Sequence, residues 1–303
     1  MKQTLLKYPT STIHGTLVEF KTDDGFRLHG FLSGKSSAKT CIIYVHGMHG
    51  NFYGHSLPFV ISTAAMKQGF GFFSMNTRGH DLVAPVYYFA KKHSATKKIK
   101  MIGGTSFEKF EECVFDIRGA VRTLRNIGFR KFVLCGHSTG CQKITFYQYK
   151  TKDASVAGLI LLAPADDYNM QRKSLGRKWK SVVNLCRVMV KQGKGDETRK
   201  EIPGRFSARR YLSIADLQRV ESRIFNYNGR LREFSKITVP VFAVFGSKEQ
   251  YADRPVKEYL DRLQKMTRSK QFDAAIIQGG NHSFTKHESD VAKLVVRWLR
   301  IIR

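Results

Sequence analysis

Lys131-Phe132-Val133-Leu134-Cys135-Gly136-His137-Ser138-Thr139-Gly140 runs directly on into Cys141-Gln142-Lys143-Ile144. The apolar run Phe132 to Cys135 has the length of a buried strand, and the stretch from Cys141 to Lys150 reads as a helix. Between them stands Gly-x-Ser-x-Gly. A serine on a sharp strand-to-helix turn is lifted clear of the sheet, and the glycines on either side remove side chains that would collide with the neighbouring strand and helix. The start of the helix places backbone amides beside the hydroxyl. Ser138 is therefore the expected nucleophile.

Working outward, strands and helices alternate. Strand Thr40 to Val45 stops at His46-Gly47; helix Leu57 to Gln68, strand Phe70 to Met75 and helix Phe107 to Asn126 precede the quoted stretch. Strand Val156 to Leu162 follows it. The pattern resumes with strand Val239 to Phe245, helix Arg254 to Met266, strand Phe272 to Ile277 and a last helix from Glu288 to Ile302. This alternation predicts an α/β protein whose mostly parallel sheet is covered on both faces. Residues 16–32 read instead as an antiparallel hairpin turning at Asp23-Asp24-Gly25. Lys91 to Lys100 reads as a basic surface loop. Between Asp166 and Lys236 the rhythm breaks into basic helical segments such as Lys178 to Lys191. The expected organisation is a core of residues 1–166 and 236–303 with a helical insertion over 167–235.

A serine hydroxyl needs a base, and His282 in Gly279-Gly280-Asn281-His282 is the histidine in a Gly-rich loop after the final strand. The acid that orients it belongs at the end of the preceding strand, where Gly246-Ser247-Lys248-Glu249 leads to Asp253. Glu249 is favoured because Asp253, just before Arg254-Pro255, reads as a cap of the next helix. Asp253 stays open, with Asp166 and Asp167 behind it. Attack on a carbonyl makes an oxyanion that needs donors already in place. The backbone amides of Thr139 and of Met48, in the loop His46-Gly47-Met48-His49-Gly50-Asn51, are the expected pair. His46 and His49 lack the third ligand of a metal site and read as turn-shaping residues. Asn76-Thr77-Arg78-Gly79-His80-Asp81 reads as a polar turn bracing the site.

Taken together, HG-x-x-G-N at His46 to Asn51, N-x-RGHD at Asn76 to Asp81, GHSTG at Gly136 to Gly140, LLAPAD at Leu161 to Asp166, GSKE at Gly246 to Glu249 and GGNH at Gly279 to His282 resemble the α/β-hydrolases. They stand in that family's order of Ser, acid, His, and span the chain apart from the insertion. The resemblance implies eight strands, a cap inserted after the sixth, no metal or other cofactor, and hydrolysis of a carboxylic ester or thioester through an acyl-serine. GHSTGCQ is similar to a branch that includes fungal siderophore-ester hydrolases. Many members carry Asp where this chain has Glu249.

Composition limits the alternatives. With 303 residues, 42% apolar and 25% charged, the chain suits a globular protein. No apolar run approaches the roughly 20 residues of a membrane-spanning helix, and MKQTLLKYPTST lacks the apolar core of a secretion signal. Five scattered cysteines fit reduced, buried thiols and a cytoplasmic address. The net charge of +28 also suits an acidic polymer or nucleic acid, yet no helix-turn-helix, RNP-like or zinc pattern accompanies it. That binder, and a non-hydrolytic member of the fold, are the alternatives. Residues 168–235 hold 17 basic and 6 acidic side chains, about twice the density of positive charge elsewhere. If this segment roofs the cleft, Arg172, Lys173, Arg177, Lys178, Arg209 and Arg210 are expected to attract anionic esters.

Overall fold

A computed structural model of the chain describes residues 14–34, 36–89 and 98–302. The elements are β1 (Thr16–Lys21), β2 (Phe26–Ser33), β3 (Thr40–Val45), α1 (Ser56–Met66), β4 (Gly71–Met75), β5 (Ala84–Phe89), β6 (Lys98–Gly103), α2 (Cys113–Ile127), β7 (Lys131–His137), α3 (Thr139–Thr151) and β8 (Val156–Leu162). After β8 come four helices in succession, α4 (Asp167–Leu175), α5 (Trp179–Lys191), α6 (Ala208–Ala215) and α7 (Val220–Ile224). The chain then returns to β9 (Val241–Gly246), α8 (Val256–Met266), β10 (Phe272–Ile277) and α9 (Glu288–Ile301).

The sheet runs β10-β9-β8-β7-β3-β4-β2-β5-β6, with β1 also paired to β2. From β10 to β4 every pairing is parallel, so the carboxyl ends of six strands share one edge, where an open α/β sheet builds its sites. The eight strands implied by the resemblance are all present. A hairpin of β5 and β6 adds two more, for ten among the described residues. The sequence reading missed this hairpin for physical reasons: β5 contains Pro85 and buries only Ala84 and Val86, and β6 (KIKMIG) is almost wholly exposed and shows no buried face. Lys98 to Lys100, read as loop, are therefore strand; the rest of that stretch, like the first 13 residues, lies outside the described residues.

Central strands β3, β7 and β8 are buried along nearly their whole length, which is why they read as continuous apolar runs rather than alternating ones. Each of Ile42, Leu134 and Leu161, fully enclosed, contributes about 1.5–3 kcal/mol relative to exposure. A second apolar cluster is built by α5 and α6: Val182, Val183, Cys186 and Met189 form one face of α5 and meet Tyr211, Leu212 and Ile214. Val220, Ile224, Phe225 and Phe234, further along the inserted segment, join the main core instead.

Buried ion pairs tie the two clusters together. Arg210 of α6 is fully enclosed and donates to Glu221 of α7, to the Thr105 carbonyl at 3.0 Å, and stands 3.8 Å from Glu108. Glu108 in turn pairs with Lys143 of α3 at 2.6 Å. Arg210 is therefore a structural cation and does not face the cleft, a correction to the expectation from charge density. Counting basic residues does not reveal that one of them has buried acidic partners.

Candidate active site

Ser138 stands alone between the last residue of β7 and the first of α3, with φ 54° and ψ −126°. A non-glycine residue rarely holds this backbone, and such a strain of order 1–3 kcal/mol persists only where the surroundings enforce it. Here the Ser138 amide donates to the Leu162 carbonyl at 2.9 Å and the Ser138 carbonyl accepts from Cys141 at 2.9 Å. Gly136 and Gly140 make the turn possible. A Cβ on Gly140 would run into the Val45 carbonyl, and one on Gly136 would overlap the backbone of Gly140.

The loops after β9 and β10 interlock: Lys248 donates to the Gly280 carbonyl at 2.8 Å and Ser247 to that of Ile277 at 2.9 Å. This brings Glu249 to His282. Both carboxylate oxygens lie 2.9 Å from Nδ1, with the two side chains only 3% and 8% exposed. A carboxylate only accepts, so Nδ1 carries the proton and Nε2 is left with a lone pair. Gln250 accepts from the His282 amide at 3.0 Å, and the Tyr251 ring stands edge-on to the imidazole at 4.7 Å. His282 and Ser138 line the same cavity; no hydrogen bond joins Oγ to the imidazole among the described residues. Catalytic hydrogen bonds are often long before substrate arrives.

The competing acids are engaged elsewhere. Asp253 accepts from Tyr259 at 2.6 Å and from Arg254 at 2.8 Å. It does not cap α8, whose N-cap is Pro255, so the reason first given for preferring Glu249 is corrected: hydrogen bonds to Tyr259 and Arg254, not a cap, occupy Asp253. Asp166 caps α4 by accepting from Asn169 and also takes the Tyr227 amide; burial pushes its pKa up to about 6. Asp167 accepts from Gln142 at 2.8 Å.

The loop after β3 lies against the serine, since a Cβ on Gly47 would fall 2.8 Å from that of Ser138. Met48 forms part of the cavity wall, and its side chain packs on the cluster of α5 and α6. Thr139 is the first residue of α3, a position whose amide has no partner within the helix. His46 donates from Nδ1 to the Gly47 carbonyl at 2.8 Å and accepts the Thr77 amide on Nε2 at 3.1 Å, shaping the turn. Burial, with Lys143 nearby, lowers its pKa to about 3. His49 donates its amide to Thr105 at 2.9 Å and stacks on Phe206. The polar turn after β4 braces this loop: Asp81 accepts from Asn51 at 2.7 Å, Asn76 from the Phe52 amide at 2.9 Å, and Arg78 is held by Asp116, Asp24 and Glu112.

His137 was not singled out from sequence. Its Nε2 donates to the His282 carbonyl at 2.9 Å, so it holds the backbone of the histidine loop, and burial lowers its pKa to about 3. The only sequence signal was its place as the variable residue of Gly-x-Ser-x-Gly, which carries no chemistry. The cavity itself measures about 400 Å³, the scale of a small-molecule site. Among the described residues its wall contains no lysine or arginine. Arg172, Lys173, Arg177 and Lys178 are exposed outside it, and Arg209 pairs with Asp196 at 2.9 Å.

A serine held in a strained elbow at the carboxyl edge of a parallel sheet, with a histidine and an acid on loops further along that edge, defines the α/β-hydrolase fold. Residues 103–302 match the family described as "Protein of unknown function (DUF1749)", and the chain belongs to that family. Among solved structures, the siderophore hydrolase EstB from Aspergillus fumigatus superposes with a TM-score of 0.69 at 15% identity, over 97% of this chain and 99% of that one. A soluble variant of monoglyceride lipase from Saccharomyces cerevisiae gives 0.64 at 14% identity over 99% of each chain. Carboxylesterase CesB from Bacillus subtilis gives 0.57 at 17% identity, over 95% of this chain and 92% of that one. No curated protein matches the sequence.

Proposed function

We propose that the protein is a serine hydrolase that cleaves a carboxylic ester, with Ser138 as nucleophile, His282 as base and Glu249 as the acid that orients it. The observation carrying this reading is the pair of 2.9 Å contacts between Glu249 and His282 Nδ1 beside a cavity that Ser138 also lines. In the reaction, Oγ attacks the carbonyl carbon while His282 Nε2 takes its proton. The amides of Met48 and Thr139 stabilise the oxyanion, and the imidazolium returns the proton to the leaving alcohol. Water, activated by the same nitrogen, then releases the acid from the acyl-serine. A thioester would follow the same course with a thiol leaving. The neighbours named siderophore hydrolase, lipase and carboxylesterase agree with ester chemistry.

Residues 167–235 are proposed as a cap, with 167–215 forming the roof over the cleft, because α4 and the turn Pro203–Arg205 contribute to the cavity wall. Anionic substrates would be attracted from outside, by the exposed cations of α4 and the turn after it, since the wall itself holds none. Five buried free thiols support a cytoplasmic setting, and no helix among the described residues is long and apolar enough to cross a membrane. The test is labelling with a fluorophosphonate and turnover of p-nitrophenyl esters of graded length. Both should vanish in Ser138→Ala with the circular dichroism unchanged; undiminished turnover in that variant would end the proposal.

A further inference from the structure

The proposed hydrolysis leaves one wall of the cavity unexplained. Helix α4 turns Asp167, Met170, Gln171 and Ser174 toward it, and the spacing of three, four and seven residues places them on a single face. That face is mostly polar, whereas a site for a plain alkyl chain would be lined with aliphatic side chains. Asp167 is the most constrained of the four. It is 2% exposed, and Oδ2 accepts from Gln142, whose amide nitrogen is itself fixed by the Ala165 carbonyl at 3.0 Å. Oδ1 takes no hydrogen bond among the described residues, although the residue forms part of the cavity wall. Burial, reinforced by Glu221, pushes the carboxyl well above its ordinary pKa, with Arg210 opposing.

A polar atom opening on a cavity becomes costly when a ligand shuts it off from solvent without a partner, and a ligand that supplies the partner avoids that cost. A ligand placing a methyl group there leaves the oxygen desolvated and unpaired. We infer that Asp167 is a specificity-determining residue, selecting esters that carry a hydrogen-bond donor, hydroxyl or ammonium, on the part lying along α4. The inference rests on reading the cavity as the ester site, so its test separates binding from turnover.

The probes are ethyl 3-hydroxybutanoate, ethyl 3-aminobutanoate and ethyl 3-methylbutanoate, similar in shape and differing in the donor. They are titrated into Ser138→Ala protein, which cannot turn them over, with Kd read by calorimetry. The hydroxy or amino ester should bind about tenfold more tightly than the methyl ester, the factor that one ordinary hydrogen bond supplies. Asp167→Leu in the same background should erase the difference. Asp167→Asn, which keeps the shape, should retain a preference for hydroxyl and lose any preference for ammonium. Equal binding of all three, binding of none, or a preference surviving Asp167→Leu overturns the inference. Turnover of the matching p-nitrophenyl esters by the unaltered protein reports separately on the hydrolase reading: discrimination in binding without turnover would remove the chemistry and keep the subsite.

Discussion

Replacing Glu249 by Gln removes one charge and turns one of the two oxygens facing Nδ1 into an NH2 donor, while keeping the shape of the side chain. The amide carbonyl can still accept from His282 Nδ1, so the ring keeps its orientation, and what disappears under the proposed mechanism is the stabilisation of the imidazolium formed as Ser138 gives up its proton. With both oxygens 2.9 Å from Nδ1 and both side chains nearly enclosed, the charge centres are about 4 Å apart; at an effective dielectric of about 20 this is worth about 4 kcal/mol. Carried into the barrier, that is about a thousandfold in rate. The expected result is therefore a fall in kcat of about three decades for Glu249→Gln, measured with a p-nitrophenyl ester, and a melting temperature within a few degrees of the parent. Asp253→Asn, whose carboxylate serves Tyr259 and Arg254, should change kcat by less than threefold, by order of magnitude, since it lies outside the pair. A drop below tenfold for Glu249→Gln, or a larger effect at Asp253, would refute this assignment of the acid.

Three further outcomes follow from the same geometry. Arg210→Met strands the buried Glu221 carboxylate and should cost about 3–5 kcal/mol in urea unfolding, while Arg210→Met combined with Glu221→Leu recovers most of it; a single-variant loss under about 1 kcal/mol would contradict the network. His137 titrates near 3 in the folded protein against 6.5 in the unfolded chain, so the stability it contributes is complete above pH 6.5 and is lost as the pH falls toward 3. His137→Phe should make the fall in unfolding free energy between pH 6 and 4 shallower by about 1.4 kcal/mol per pH unit, and an unchanged slope would show that His137 is not held neutral. If the exposed cations of α4 and the turn after it steer substrates, raising ionic strength should lower kcat/KM for a carboxylate-bearing ester and leave a matched neutral ester unaffected; equal responses would assign the charge to solubility or to an outside partner.

What the sequence determined by itself was what local chemistry and periodicity encode. The runs around Ile42, Leu134 and Leu161 are apolar because strands covered on both faces must be, and their alternation with helices points to the parallel sheet. Gly136 and Gly140, two residues to either side of Ser138, are glycines because the elbow admits no Cβ there, so the proposed nucleophile was legible with its backbone strain. Glu249 and His282 were legible as residues of strand-end loops, though only the folded sheet, which sets β9 beside β10, brings 33 positions of separation down to a hydrogen bond. Other features belong to the tertiary structure because their partners are distant in the chain and of no fixed type. Asp253 reads as a helix cap until Tyr259 is seen to hold it. Arg210 reads as one more surface cation until Glu108 and Glu221 are found around it. His137 and Asp167 show no distinguishing pattern: one is defined by the backbone carbonyl it reaches, the other by the cavity on which it opens, and both are products of packing that no local spacing records.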